Sequence, residues 1–201
     1  MTRRFALVVG LSILMAGAAP RATQDLTRED ADSMQRKIAA ILGRGELPAT
    51  ANAAPVRTAF SEREVNAYFK FVGPDEFPPG VVDPRVRIAE GGRIEGRAVV
   101  DLDAVRKSKE RGWLDPLTYV TGAVEVRASG TLLAANGVGV FKLASATLGG
   151  VTIPKALLQE LVTFYTRTPE APNGFALDDP FTLPAAIRAV QLQRGAATVI
   201  Q

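Results

Sequence analysis

Asp101 and Asp103 stand two apart in a stretch that reads as strand, which places both carboxylates on one face. An acidic pair of this kind holds a divalent cation in some transferases. Such a cation takes about six to eight oxygen ligands, more than two carboxylates supply. No partner cluster stands nearby in the sequence, so the expected role is a solvated strand end. The chain has no histidine and no cysteine. Serine-histidine triads, thiolate nucleophiles and ordinary zinc sites are thereby removed. Asp178-Asp179 before Pro180 reads as a turn. Gly137-Val138-Gly139 lacks the lysine and the following helix of a phosphate loop, and reads as a turn or bulge. The expectation is a non-catalytic protein with no metal and no cofactor.

Two other groups of residues carry possible binding chemistry. Arg106, Lys107, Lys109 and Arg111 precede Trp113, and basic residues beside a tryptophan suit a membrane headgroup region. Glu110 interrupts the run, and the favoured reading is a solvated excursion with Trp113 tucked against the core edge. Leu157, Leu161 and Phe164 form an apolar stripe at helical spacing. The stripe fits a core helix on a sheet, and it fits equally one wall of an acyl-chain groove.

The elements that must position these residues centre on Leu117 to Thr168. Tyr119 to Leu132 alternates, with Val120, Gly122, Val124, Val126, Ala128, Gly130 and Leu132 on one face. After Ala134-Ala135-Asn136-Gly137 a second strand runs from Val138 to Leu148, where Gly149-Gly150 stops it. Pro154 opens a helix reaching Arg167. Long strands with glycine on the apolar face suit a sheet that bends, and the apolar helix is the expected object inside the bend.

Upstream, Thr27 caps a helix reaching Leu42, with acidic residues in its first turn and Gly43 as its end. Gly45 to Pro55 reads as a linker. Ser61 and Glu64 form a capping box, Phe60 can staple to Val65, and Val65, Tyr68, Phe69 and Val72 follow helical spacing. Val82, Val86 and Ile88 alternate with Asp83, Arg85 and Arg87 before a Gly91-Gly92 hairpin turn. Ile94, Gly96, Ala98, Val100 and Leu102 continue one apolar face on the return strand. Downstream, Thr168 to Pro180 is a proline-rich loop, Phe181 to Leu183 a short strand, and Ile187 to Gln193 with Ala196 to Ile200 a closing hairpin around Arg194-Gly195.

The N-terminus reads as an export signal. Arg3 and Arg4 precede an apolar run from Phe5 to Ala16 that is short for a bilayer span, and Ala16-Gly17-Ala18 offers a cleavage site. The predicted organisation is a signal peptide at 1–18, a helix and linker at 19–56, and one domain at 57–201, in a periplasmic or extracellular location. Of 24 basic and 21 acidic residues, two basic ones lie in the leader, so the net charge falls from +3 to +1 without it. A nearly neutral domain is a poor nucleic-acid binder, so no nucleic acid is expected as a partner.

Phe60-Ser61-Glu62-Arg63-Glu64-Val65-Asn66-Ala67-Tyr68 resembles the entry helix of small exported bacterial proteins of the LmeA and YpmS kind. Leu148-Gly149-Gly150-Val151-Thr152-Ile153-Pro154, the helix after it and the final strand pair resemble them too, so the likeness runs from Phe60 to Gln201. Those families are similar in fold to the tubular lipid-binding domains. The resemblance implies an α+β fold in which a strongly curved antiparallel sheet wraps a long helix, with the N-terminal helix as an accessory. It implies an exported, non-catalytic envelope protein whose partner is a lipid or other apolar small molecule, with possible peripheral membrane contact. The candidate lipid contacts are then Leu157, Leu161, Phe164, Phe141 and Trp113. The alternative is a structural or interaction module of the envelope with a filled core and no ligand.

Overall fold

The computed structural model describes residues 25–48, 54–75, 77, 80–107, 121–166, 174 and 176–201. It is an α+β fold built on a six-stranded antiparallel sheet, with a second sheet of three strands. Helix α1 (Arg28–Gly45) is capped by Thr27, which makes a reciprocal capping box with Asp30. Strand β1 (Arg57–Ser61) leads into α2 (Glu62–Phe71), where Ser61 and Glu64 form the expected capping box. A short 3-10 turn, Gly73–Asp75, ends that helix. Strands β2 (Val81–Ile88) and β3 (Arg93–Asp101) form a hairpin, followed by α3 (Leu102–Lys107). Strands β4 (Ala123–Ala135), β5 (Val138–Leu148) and β6 (Val151–Thr152) continue the meander. Helix α4 (Lys155–Thr166), β7 (Phe181–Thr182), β8 (Ala189–Gln193) and β9 (Ala196–Ile200) complete the chain order.

The large sheet runs β2-β3-β4-β5-β6, with β7 paired to β5. Its turns follow from backbone chemistry. Asn136 and Gly137 both have positive φ, 54° and 78°, the pair a tight hairpin of right-handed twist requires. Gly149 and Gly150 do the same between β5 and β6, so this pair makes a hairpin rather than merely ending a strand. The small sheet runs β1-β9-β8. Where Phe60-Ser61 reads in the sequence as helix entry alone, the two residues also end strand β1, which pairs with β9. Its alternation from Arg57 to Ser61 is the signal that could have found it.

The expected wrapping is not observed. The large sheet is not strongly curled, and among the described residues no long helix lies inside it. Among the described residues helix α4 packs chiefly against β5, and Gln159 and Lys155 tie it to Leu177 and Asp178. The reason is local. Gly149-Gly150 turns the chain back beside β5, and the Ile153 N–H donates to the Ala146 carbonyl at 2.9 Å. The helix therefore leaves from the β5 edge. The long helix is instead α1, with 18 residues, and it packs on α2.

Three boundaries moved for tertiary reasons. Helix α1 passes Gly43, around which a side chain would have open space, and ends at Gly45. There a Cβ would lie 2.4 Å from the Ala185 Cα, so close packing fixes a glycine at the end. Val82 does not share a face with Val86 and Ile88. A β-bulge between Val82 and Arg85 shifts the register, so Val82 pairs with Val99 and Arg85 with Arg97. Asp83 sits in that bulge with φ 45°, next to Pro84, which has no N–H for the ladder. Finally, Leu102 and Asp103 belong to α3 and not to a strand.

Candidate functional site

Register divides the large sheet into two chemically different faces. Ile94 pairs with Gly130, Gly96 with Ala128, and Ala98 with Val126, so these six share one face. The intervening residues face the other way: Arg97 pairs with Arg127, Glu95 with Ser129, and Arg85 with Arg97. Helix α2 is fixed in the plane between the faces. The Asn66 amide donates to the Val86 carbonyl at 2.8 Å, and the Val86 N–H donates to the Asn66 side-chain oxygen at 2.8 Å. The Ile88 N–H donates to Glu62 at 2.7 Å, and the Ile88 carbonyl accepts from the Gly195 N–H. The free edge of β2 is thereby closed by side chains of α2 and by the tip of the β8-β9 hairpin.

On the apolar face lies a groove of about 470 Å³. Its floor is Ile94, Gly96, Ala98, Val126, Ala128 and Leu132. Phe60, Val65 and Phe69 form one wall, and Val190, Leu192 and Ala197 of the small sheet form another. Phe60 and Val65, the expected staple pair, therefore border the same space. A Cβ built on Gly96 meets nothing within 4 Å, so the floor is open there. Among the described residues no large side chain is fully buried. Ile88 and Ala197, which also line the groove, are buried.

On the polar face lies a larger groove of about 1330 Å³. Arg85, Arg97 and Arg127 cross its floor, with Ser129, Ser145 and Thr147 beside them and Arg63 and Lys70 of α2 above. Arg85 is held by Asp83 at 2.8 Å, and Arg127 by Glu125 at 2.5 Å. The hydrogen bond from Arg127, with the charges of Arg127 and Arg97, holds the Glu125 carboxyl below its usual range against the cost of desolvation.

Helix α1 is tied to α2 through Glu64. One carboxylate oxygen accepts from Lys37 and Ser33, both at 2.6 Å, and the other accepts from the Ser61 N–H at 2.8 Å. Burial works against the charged form. The hydrogen bonds from Lys37, Ser33 and Ser61, with the Lys37 charge, outweigh it and bring the pKa to about 2. Arg63 pairs with Asp30 at 2.8 Å.

The acidic pair singled out in the sequence is engaged with backbone. Asp101 accepts from the N–H groups of Asp103 and Ala104 and so caps α3, while Asp103 accepts from the Gly122 N–H at 3.0 Å. The two do not share a strand face, because the helix begins between them. No group of three or more metal-ligating side chains occurs among the described residues. Asp178 accepts from the Leu143 N–H at 2.7 Å and from Lys155.

Of the candidate lipid contacts, Leu157 is 46% exposed on α4. Phe141 pairs with Leu132 on the apolar face, and its ring occupies the space where a Gly130 side chain would stand. Neither borders either groove. Trp113 and the side chains of Leu161 and Phe164 lie outside the described part of the chain. The groove residues Phe60, Val65, Gly96, Val126, Ala128 and Leu132 were legible as apolar faces, but nothing in the sequence said that those faces meet.

Comparisons with protein-family models, with curated proteins and with solved structures find no match for this chain. No helix among the described residues is long and apolar enough to cross a membrane, which says nothing of strands.

Proposed function

We propose that this chain is an exported, non-catalytic envelope protein that binds an apolar chain, such as a lipid acyl chain, in the groove between α2 and the two sheets. The observation that carries the reading is the apolar groove itself. Its volume of about 470 Å³ falls in the range of small-molecule sites, roughly 300–1,000 Å³. Arg85 and Arg97 also border it, although by register their side chains belong to the opposite face. Each methylene moved from water into such a lining contributes about 0.8 kcal/mol. Export rests on the leader-like N-terminus. The reading does not need a sheet wrapped around a helix: the ligand sits over Gly96 rather than against α4.

The alternative, an envelope interaction module with a filled core, calls for no space between these elements, and the open floor at Gly96 argues against it.

The test is uptake of a fluorescent fatty acid by the purified chain, with native mass spectrometry of protein exposed to lipid vesicles. Saturable uptake at one per chain supports the reading. Gly96→Leu fills the groove floor and should fold normally while losing uptake. A wild-type chain that takes up neither fatty acid nor lipid would sink it.

A further inference from the structure

We propose that the polar face of the large sheet is a binding site for a phosphate-bearing anion, centred on Arg97. By register its arginines belong to the face opposite the floor of the apolar groove.

Arg85, Arg97 and Arg127 are directly opposed across three neighbouring strands. Directly opposed residues on one face have Cβ atoms about 5 Å apart, and like charges there repel. The two outer arginines are each neutralised within their own strand, by Asp83 and Glu125. Arg97 has no carboxylate within ion-pair distance among the described residues. Glu125 acts on it only through longer-range attraction. Arg87 in the same groove is paired with Glu95 at 3.4 Å, and Arg63 with Asp30. Lys70 makes no ion pair among the described residues and lies 5.0 Å from the Phe71 ring centre. Among the described residues the groove thus keeps two cations without a carboxylate partner, Lys70 and, in the middle of the arginine row, Arg97; of the carboxylates that also line it, Glu95 is on Arg87 and Glu62 on the Ile88 N–H, and Asp25 stands at the α1 end.

Its shape and donors select among anions. A guanidinium presents a planar fork of N–H donors that matches carboxylate or phosphate oxygens in pairs. A carboxylate offers two oxygens, which one arginine can satisfy. A phosphate offers three or four, enough to draw donors from adjacent strands at once. Hydroxyl donors stand beside the row, with Ser129 and Ser145 Oγ atoms 2.8 Å apart. The bulge at Asp83 is what brings Arg85 into register with Arg97, and bulges commonly re-aim side chains at sites. A volume of about 1330 Å³ leaves room for more than the phosphate. The phosphate can belong to a soluble compound or to a lipid headgroup.

The experiment uses the full chain with inorganic pyrophosphate, and separately with phosphatidylglycerol and phosphatidylcholine vesicles. Calorimetry should show saturable pyrophosphate binding and a raised melting temperature. Arg97→Gln should weaken that binding by roughly tenfold or more. Without anion, the variant should melt no lower than wild type, because a repelling charge is gone. Arg87→Gln should change binding far less. If phosphatidylglycerol vesicles bind through Arg97 and compete with pyrophosphate, the source is a headgroup; if only pyrophosphate binds, it is a soluble phosphate. The proposal is overturned if neither probe binds, or if Arg97→Gln binds as wild type. Equal losses in the Arg97 and Arg87 variants would also overturn it, since that is diffuse charge attraction.

Discussion

Asn66 lies beside Val86 as a strand residue would, exchanging both hydrogen bonds with it at 2.8 Å. One buried side chain thus converts a free sheet edge into a helix junction and sets α2 between an apolar and a basic groove. Asn66→Ala leaves the Val86 N–H and carbonyl unpaired beside a buried position. Each such group costs about 1–3 kcal/mol, so the variant should lose about 2–4 kcal/mol in urea unfolding. Asn66→Asp keeps the acceptor and loses the donor, and should partly recover stability on acidification as its carboxyl gains a proton. Equal stability of wild type and Asn66→Ala would show that the edge is held by other contacts.

Glu64 gives the junction of α1 and α2 a pH dependence. Its folded pKa is about 2, below the ordinary value of about 4.3. A lowered carboxylate pKa contributes stability that is present above the unfolded pKa and is lost as pH falls through the folded one. The contribution should therefore fade from about pH 4.5 toward pH 2. Allowing for solvent screening, it amounts to about 1–2 kcal/mol. Urea midpoints measured across that window should fall less steeply for Glu64→Gln than for wild type. Parallel slopes would locate the acid sensitivity at other carboxylates, of which Asp30 and Asp178 are also lowered.

Gly96 and Gly130 sit on the same face of neighbouring strands and should answer oppositely to a methyl group. At Gly96 the added Cβ meets nothing within 4 Å. Gly96→Ala should be neutral or gain up to about 1 kcal/mol, since glycine weakens a strand interior. At Gly130 the Cβ would lie 2.5 Å from the Lys142 carbonyl oxygen and 2.5 Å from the Phe141 ring. Gly130→Ala should cost about 1–3 kcal/mol. Thermal melts of the two variants decide it, and a destabilised Gly96→Ala would mean the groove floor is packed.

Gln201 joins two distant segments. Its amide donates to the Ile41 carbonyl at 2.9 Å and to the Ala185 carbonyl at 2.6 Å, while its buried Oε1 has no hydrogen-bond partner among the described residues. Gln201→Glu replaces the donor amide with a carboxylate facing two carbonyls. It should destabilise by about 2–3 kcal/mol at neutral pH and less below the carboxylate pKa. Chemical denaturation at pH 7 and pH 4 checks both parts. An unchanged midpoint would show that α1 is held without this bridge.

Much of the local structure is written in short-range chemistry. The capping boxes at Thr27 and Ser61, the positive-φ turn residues Asn136, Gly137 and Gly195, and the alternation from Ile94 to Ala98 and Val124 to Leu132 each depend on residues a few positions apart. So does the α+β class that they add up to. Long-range packing decided the rest. The Gly149-Gly150 turn and the α4 that follows were legible, yet the placement of that helix at the β5 edge rests on the hydrogen bond from Ile153 to Ala146 and on its return beside β5. The bulge at Asp83 reverses the face of Val82, and a one-residue slip moves a whole side-chain set to the other face. Asn66 is an ordinary helix residue in the sequence; that it closes a sheet edge depends on Val86, twenty residues on. Both grooves are consequences of pairing. An arginine at 85, another at 97 and a third at 127 say nothing together until three strands bring them side by side.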